Sequence, residues 1–424
     1  MFALVDCNSF YCSCERVFNP KLEHLPVVVL SNNDGCVISR TNEAKALNIP
    51  MGAIAHEIKH LVEKHKVAVF SSNYALYGDM SARVMTVLGQ FAPEVEVYSI
   101  DEAFLNLTGF DQTDLNVYGK TIVKTIRQAT GIPVSVGIAP TKTLAKLANR
   151  LSKKAADKKG VWVLDTPQAV ELALKQCPIE DVWGVGRQHA KRLALMNVVT
   201  AHDFTQLSRV WVQKNMSVVG LRMWEELRGQ PCYVLELTNP AKKSICTSRS
   251  FGKMLNQYRD IEEAVANHAA TCAQKLRSQK SCASVVSVFV ATNPFNSDTP
   301  QYSNTISVTL PHSTNHSAEL IHYAKDALKR IFKEGYWYKK VGVMVFELTP
   351  ENTQQTNLFR NPITDEKGQK LMTVLDQINA RYGKNTVKVA AQGEGKTWRL
   401  RREHLSPCYT TQLRDVFWVK TSGV

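Results

Sequence analysis

Along the first 165 positions the apolar residues alternate between two periods. Short runs at strand spacing occupy 2–6, 27–31, 67–71, 95–100, 103–107, 134–138 and 161–164. Helical spacing governs 41–47, 73–91, 114–130 and 141–152. With 11–70 set aside, the order is strand, helix, two hairpin strands, helix, strand. That order predicts an antiparallel sheet backed by two helices in the ferredoxin-like manner. The excluded stretch predicts a small inserted subdomain.

Residues 166–231 read as mostly helical. They include "VWGVGRQHAKRLALMNV", where Gly184 and Gly186 form a turn opening a helix that carries Lys191 and Arg192. Such a turn resembles a helix-hairpin-helix, whose backbone N–H groups hold a DNA phosphate without reading sequence; a plain αα-corner is the alternative. A linker follows at 237–244. Strand patterns at 284–291, 305–310 and 341–346, with helical ones at 261–279 and 318–333, predict a second α+β module. From 351 the chain is polar and loop-like, with a helical stretch at 369–380 and a basic tail.

Composition adds charge to this picture. The chain of 424 residues is 44% hydrophobic and carries a net charge of +14, which points to an anionic partner, nucleic acid before membrane. Residues 142–160 hold seven Lys or Arg against the single acid Asp157, and 242–346 hold 14 basic residues against 7 acidic. No run approaches the ~18–20 apolar residues of a membrane span. "MFALVDCNSF" reads as a buried strand rather than a signal peptide, so a cytoplasmic protein is expected. Ten scattered cysteines fit reduced, buried thiols; the group Cys7, Cys12 and Cys14 matches no common zinc spacing.

Candidate chemistry centres on "VYSIDEAFLNL", which predicts a hairpin with Asp101 and Glu102 at its tip. In a ferredoxin-like sheet the first strand lies beside that hairpin, so Asp6 faces the pair. Three carboxylates within ~4 Å of one another repel by ~1–4 kcal/mol per pair. No Lys or Arg in their own sequence neighbourhoods neutralises them, whereas hard divalent cations would. Two such ions ~3.5–4 Å apart serve phosphoryl transfer. The alternative is a set of solvated acids in a turn.

"DCNSFYCSCE", "YSIDEAFLNL" and "GIAPTKTLAKLANRLSK" together resemble the Y-family, lesion-bypass DNA polymerases. "VVVLSNNDGCVISRTNEAKALNI", "SSNYALYGDMS" and "DVWGVGR" resemble their UmuC branch, the catalytic subunit of bacterial DNA polymerase V. The resemblance runs in order over essentially the whole chain. It implies an α+β right hand: a ferredoxin-like palm at 1–10 and 71–165, small fingers at 11–70, and a helical thumb with the helix-hairpin-helix at 166–236. An α+β little finger at 242–348 and a tail at 351–424 complete it.

The implied activity is error-prone translesion synthesis in the SOS DNA-damage response. Nucleotidyl would pass from dNTP to a primer 3′-hydroxyl with two Mg²⁺ held by Asp6, Asp101, Glu102 and the Cys7 carbonyl. Phe10, Tyr11, Asn42, Lys45 and Lys153 fall at nucleotide-contacting positions, with Tyr11 as a steric gate against a 2′-hydroxyl. Lys45 and Asn42 stand where many relatives carry Arg and Tyr, which alters the phosphate clamp. Asn32, Cys36 and Ile38 would roof the nascent base pair; Gly184, Gly186 and Lys191 would hold DNA. Gln355, Leu358 and Phe359 in "QTNLF" resemble a sliding-clamp (beta) peptide, although Thr356 replaces a frequent Leu. Implied partners are primer-template DNA, a UmuD′-type dimer and RecA, with no membrane. Two other classes stand beside this reading: a non-catalytic polymerase-derived DNA-binding scaffold, and a nucleotide cyclase with a palm-like sheet.

Overall fold

A computed structural model describes the chain except residues 111, 155–159, 239, 297, 354–361, 395–397, 399 and 419–424, and the side chains of 362–365. The chain forms two units, Met1–Asn239 with Glu403–Val424, and Pro240–Arg402. Residues 351–402 lie in the second of these units and 403–424 in the first.

In the first unit the elements run β1 (Phe2–Cys7), α1 (Phe10–Phe18), β2 (Val27–Leu30), β3 (Val37–Arg40), α2 (Asn42–Ala46), α3 (Lys59–His65), β4 (Ala68–Ser71) and α4 (Tyr74–Leu88). Then follow β5 (Val95–Val97), β6 (Glu102–Asn106), α5 (Leu115–Thr130), β7 (Val134–Ala139), α6 (Lys142–Lys154) and β8 (Val161–Val163). A five-stranded sheet has the order β5-β6-β1-β7-β8, with β7 and β8 parallel and the other pairs antiparallel. Strand β2 sits between β3 and β4 in a separate three-stranded sheet with its own core of Val28, Leu30, Val37 and Ile49.

The large sheet is covered on both faces rather than backed by two helices alone. Ala3, Val5 and Cys7 pack with Leu76 and Met80 of α4 and Ile122 and Ile126 of α5. Leu4 and Phe104 point the other way, onto Leu144, Ala148 and Leu151 of α6. A strand buried on both faces has no polar alternation, which is why "FALV" is an unbroken apolar run.

Glycine sets the spacing on the α6 side. A Cβ at Gly137 would lie 2.1 Å from the Asn149 backbone nitrogen and 2.3 Å from the Ala145 carbonyl oxygen. Helix α6 therefore rests directly on β7, and Asn149 Nδ2 donates to the Ser135 carbonyl at 2.7 Å. At its start the buried Glu226 carboxylate accepts from the Thr143 N–H at 2.9 Å, a negative charge at a helix N-terminus. Glu226 belongs to α10 (Arg209–Leu227), which follows α7 (Pro167–Gln176), α8 (Arg187–Ala194) and α9 (Ala201–Thr205).

The second unit contains β9 (Ser244–Leu255), α11 (Tyr258–Ser278), β10 (Ser281–Thr292), β11 (Ser303–Thr314), α12 (Ser317–Ile331), β12 (Tyr338–Pro350) and α13 (Pro362–Tyr382). Its antiparallel sheet has the order β11-β10-β12-β9, and α11 and α12 close one face. Arg277 of α11 forks onto Asp376 of α13 at 2.7 and 2.8 Å. Strand β9 escaped the periodicity because only Ile245, Phe251 and Leu255 are buried among twelve mostly polar positions.

Candidate active site

The β1–β6 register sets Asp6 opposite Glu102. The Cys7 N–H donates to the Asp101 carbonyl at 2.8 Å, joining the hairpin tip to the end of β1. Ser99 shapes the tip: its Oγ accepts from the Asp101 and Glu102 N–H groups at 3.2 and 3.0 Å and donates to Asp101 Oδ1 at 2.6 Å. Burial pushes the Asp6 carboxyl up to about 6, with Lys153 pulling it down and Glu102 and Asp101 adding to the rise. Asp6 thus lies within electrostatic reach of both acids of the hairpin tip. Burial, then Asp6 and Asp101, push the Cys7 thiol far up, so it stays protonated and leaves its carbonyl as the donor suited to a hard cation.

One expectation is corrected. Cations do neutralise two of these acids, Asp6 and Glu102, and both cations come from α6. Lys153 Nζ lies 2.6 Å from Asp6 Oδ1, and Lys146 Nζ lies 3.0 Å from Glu102 Oε2. Lys146 also sits over the rings of Tyr98 at 4.3 Å and Trp183 at 5.1 Å. Sequence neighbourhood missed them because the partners lie 44 and 147 positions away. The available signal was spacing: Lys146 and Lys153 are two helical turns apart and share a face. Among the described residues, no three His, Cys, Asp or Glu side chains already surround one point.

The basic run at 142–160 is likewise spoken for. Lys142 pairs with Glu96, and Arg150 and Lys154 with Asp181, besides the two pairs above. Lys158 and Lys159 lie outside the described residues.

Beside Asp6 a cleft of about 330 Å³ is lined by Asn8, Ser9, Asn42, Lys45 and Lys153. Lys45 Nζ donates to Asn42 Oδ1 at 3.0 Å. Burial, then Arg40 and Lys153, hold the Lys45 ammonium below its ordinary value, so three cations converge here. Arg40 was not singled out by motif; its Nη1 donates to the Ile49 carbonyl. Tyr11 lies in the first turn of α1, its ring stacked on Tyr77 at 4.5 Å and edge-on to Tyr74 at 6.1 Å. Phe10, by contrast, is turned into the core, so its ring is not free to meet a nucleotide.

Asn32 and Cys36 lie on the loop between β2 and β3, and Ile38 on β3. The loop is closed by Ser31 N–H to the Cys36 carbonyl at 2.7 Å. Asp34 ties it outward, accepting from Ser71 Oγ at 2.6 Å and from the Glu403 N–H at 2.8 Å. Gly186 caps α8, and Gly184 has φ +97°, a backbone that favours glycine. Lys191 is exposed on α8. Gln355, Leu358 and Phe359 lie outside the described residues. All ten cysteines are free, and among the described residues no helix is long and apolar enough to cross a membrane.

The fold is that of the Y-family DNA polymerases. It is similar to a Y-family DNA polymerase chimera of Dbh and Dpo4, with a TM-score of 0.63 at 19% identity over 82% of this chain and 100% of that one. An insertion ternary complex of Dbh DNA polymerase gives a TM-score of 0.54 at 20% identity over 82% of this chain and 100% of that one. The impB/mucB/samB family profile matches residues 5–150, its C-terminal domain residues 242–358, and a domain of unknown function, DUF4113, residues 369–419. Protein UmuC of Salmonella typhimurium is 44% identical over 99% of this chain and 100% of its own length, and Protein SamB of the same organism 42% over 98% and 99%. DNA polymerase IV of Desulfatibacillum aliphaticivorans is 29% identical over 91% and 95%. The chain belongs to the impB/mucB/samB family, the UmuC-like branch of the Y-family DNA polymerases.

Proposed function

We propose that the chain synthesises DNA across template lesions in the SOS response, joining a dNTP to a primer 3′-hydroxyl at Asp6, Asp101 and Glu102. The carrying observation is the β1–β6 register, which sets Asp6 against Glu102 while two α6 lysines balance the charge. The oxygen donor set suits two Mg²⁺, which the three acids and the Cys7 carbonyl would hold. Such ions would activate the 3′-hydroxyl and offset the charge of the triphosphate and pyrophosphate.

The chain's own residues do the rest. Lys45 and Lys153 bind the triphosphate in the cleft beside Asp6, with Asn42 orienting Lys45. On nucleotide binding Lys153 moves from Asp6 to phosphate, and Lys146 yields Glu102. Tyr11, braced by Tyr77, fills the space a 2′-hydroxyl needs. Asn32, Cys36 and Ile38 cover the base pair, and the α8 start with Gly184, Gly186 and Lys191 holds a DNA phosphate. The corresponding division is palm 1–10 and 71–165, fingers 11–70, thumb 166–236 and little finger 242–348, with 351–424 as the tail. Partners in this reading are primer-template DNA, a UmuD′-type dimer, RecA, and the sliding clamp through Gln355, Leu358 and Phe359, in the cytoplasm.

Primer extension on an abasic template, with Mg²⁺, clamp and activating partners, tests this. Asp101→Asn is expected to lose extension while still binding primer-template; equal extension by both proteins would overturn the assignment.

A further inference from the structure

The Pro240–Arg402 unit contains a cleft of about 560 Å³ that the polymerase reading leaves unused. It lies where β9 and α11 meet the segment after α13. Its lining includes Arg249, Lys384, Lys388, Arg402, His268 and Trp398. Four of these are cations drawn from three stretches of chain, and Glu394 is the one acid lining it among the described residues.

Two features show that this lining lacks something. First, four like charges line one cleft, all of them on exposed side chains. Burial and then Arg402 hold the Arg249 guanidinium below its ordinary value; burial, then Arg249 and Lys275, do the same to Lys384. Second, polar atoms are stranded. His268 is only 2% exposed, and among the described residues neither its Nε2 nor Trp398 Nε1 has a hydrogen-bond partner. Their rings meet edge-on at 6.0 Å. A buried polar atom without a partner destabilises the fold. A multivalent anion with several acceptor oxygens relieves both defects together, and guanidinium forks match phosphate oxygens in pairs. The volume falls in the range of small-molecule sites and exceeds the needs of a single oxyanion.

We propose that this cleft binds a phosphate-bearing ligand of nucleotide size, held by Arg249, Lys384, Lys388 and Arg402 over the His268 and Trp398 ring nitrogens. The phosphate can belong to a free nucleotide or to the end of a nucleic-acid strand, and Lys384, Lys388 and Arg402, three of the four cations, follow α13. This site is independent of the Asp6 centre.

Calorimetric titration of the full chain without divalent metal tests it. The probes are tripolyphosphate, ATP, and a single-stranded oligonucleotide with and without a 5′-phosphate. Arg249→Gln/Lys384→Gln is expected to weaken binding at least tenfold. Lys153→Ala, which disables the triphosphate cleft beside Asp6, should leave binding at this site intact. Tighter binding of ATP or tripolyphosphate assigns a free nucleotide; selective binding of the phosphorylated strand assigns a strand end. Lys388→Gln, a surface change, repeats the test should the double variant fold poorly. Absence of binding by the wild type, or equal binding by the cleft variants, would overturn the proposal.

Discussion

Glu15 shows how much one buried carboxylate can organise. Tyr77 OH and Ser406 Oγ both donate to its Oε1, at 2.7 and 2.9 Å. Burial pushes its carboxyl up, and those two bonds pull it back. The same Tyr77 presents its ring to Tyr11, so its hydroxyl and its ring have separable partners. Tyr11→Ala is expected to raise ribonucleotide incorporation relative to dNTP by roughly tenfold or more. Tyr77→Phe keeps the stacked ring but removes one donor from a buried acid, costing about 1–2 kcal/mol with sugar discrimination unchanged. Single-nucleotide kinetics with paired dNTP and rNTP, alongside urea melts, separate the two; loss of discrimination in both would put the selectivity in the brace. Tyr11 stands within a recognisable motif. The meeting of Glu15 and Ser406 is not legible there, because it spans 391 positions.

His268 gives the residue scale its pH dependence. Burial, then Arg249 and Lys275, push its imidazole down to about 3, so it is neutral in the fold. A depressed histidine favours the folded state above its unfolded value near 6.5, and that contribution is lost as pH falls from there toward 3. From pH 7.5 to 5.5 the loss is about 1.4 kcal/mol. Hydrogen exchange of α11 amides should show it in the wild type and not in His268→Asn; parallel slopes in the two would exclude the imidazole as the source.

At the scale of elements, α6 does the positioning, and Gly137 is what lets it. The helix delivers Lys146 to Glu102 and Lys153 to Asp6 only because β7 presents no side chain where the Asn149 backbone passes. Gly137→Ala must move backbone rather than a flexible side chain, so a loss of about 3 kcal/mol or more is expected, above ordinary overpacking. Both lysines would shift with the helix. Extension should therefore fall even below the melting transition, with the dNTP KM rising as Lys153 withdraws. Full activity in a folded Gly137→Ala protein would show that α6 is not held here. The helix itself was plain from its apolar spacing. Its contact with the sheet was not, since a glycine inside a strand pattern does not say which backbone approaches it. Strand β9 was hidden for the opposite reason: its edge position leaves most side chains in polar surroundings, and three buried positions in twelve make no period.

For the whole molecule, the net charge of +14 told of a polyanionic partner but not where it binds. The densest basic run in the sequence proves the least available, because Lys142, Lys146, Arg150, Lys153 and Lys154 all have carboxylate partners. Linear charge counting cannot see acids that arrive from Glu96, Glu102, Asp6 and Asp181. Lys191 differs: it is exposed, and among the described residues no acid pairs with it. Counterion release makes log K fall with log salt at about −0.9 per neutralised phosphate. Lys191→Ala should therefore flatten that slope by roughly one unit on primer-template DNA. Arg150→Ala should change it little, because in the free protein its charge is already offset by Asp181. Binding curves between low and moderate salt decide the matter. An Arg150→Ala slope change as large as that of Lys191→Ala would mean that the α6 ion pairs open on DNA, and that the basic run is a contact surface after all.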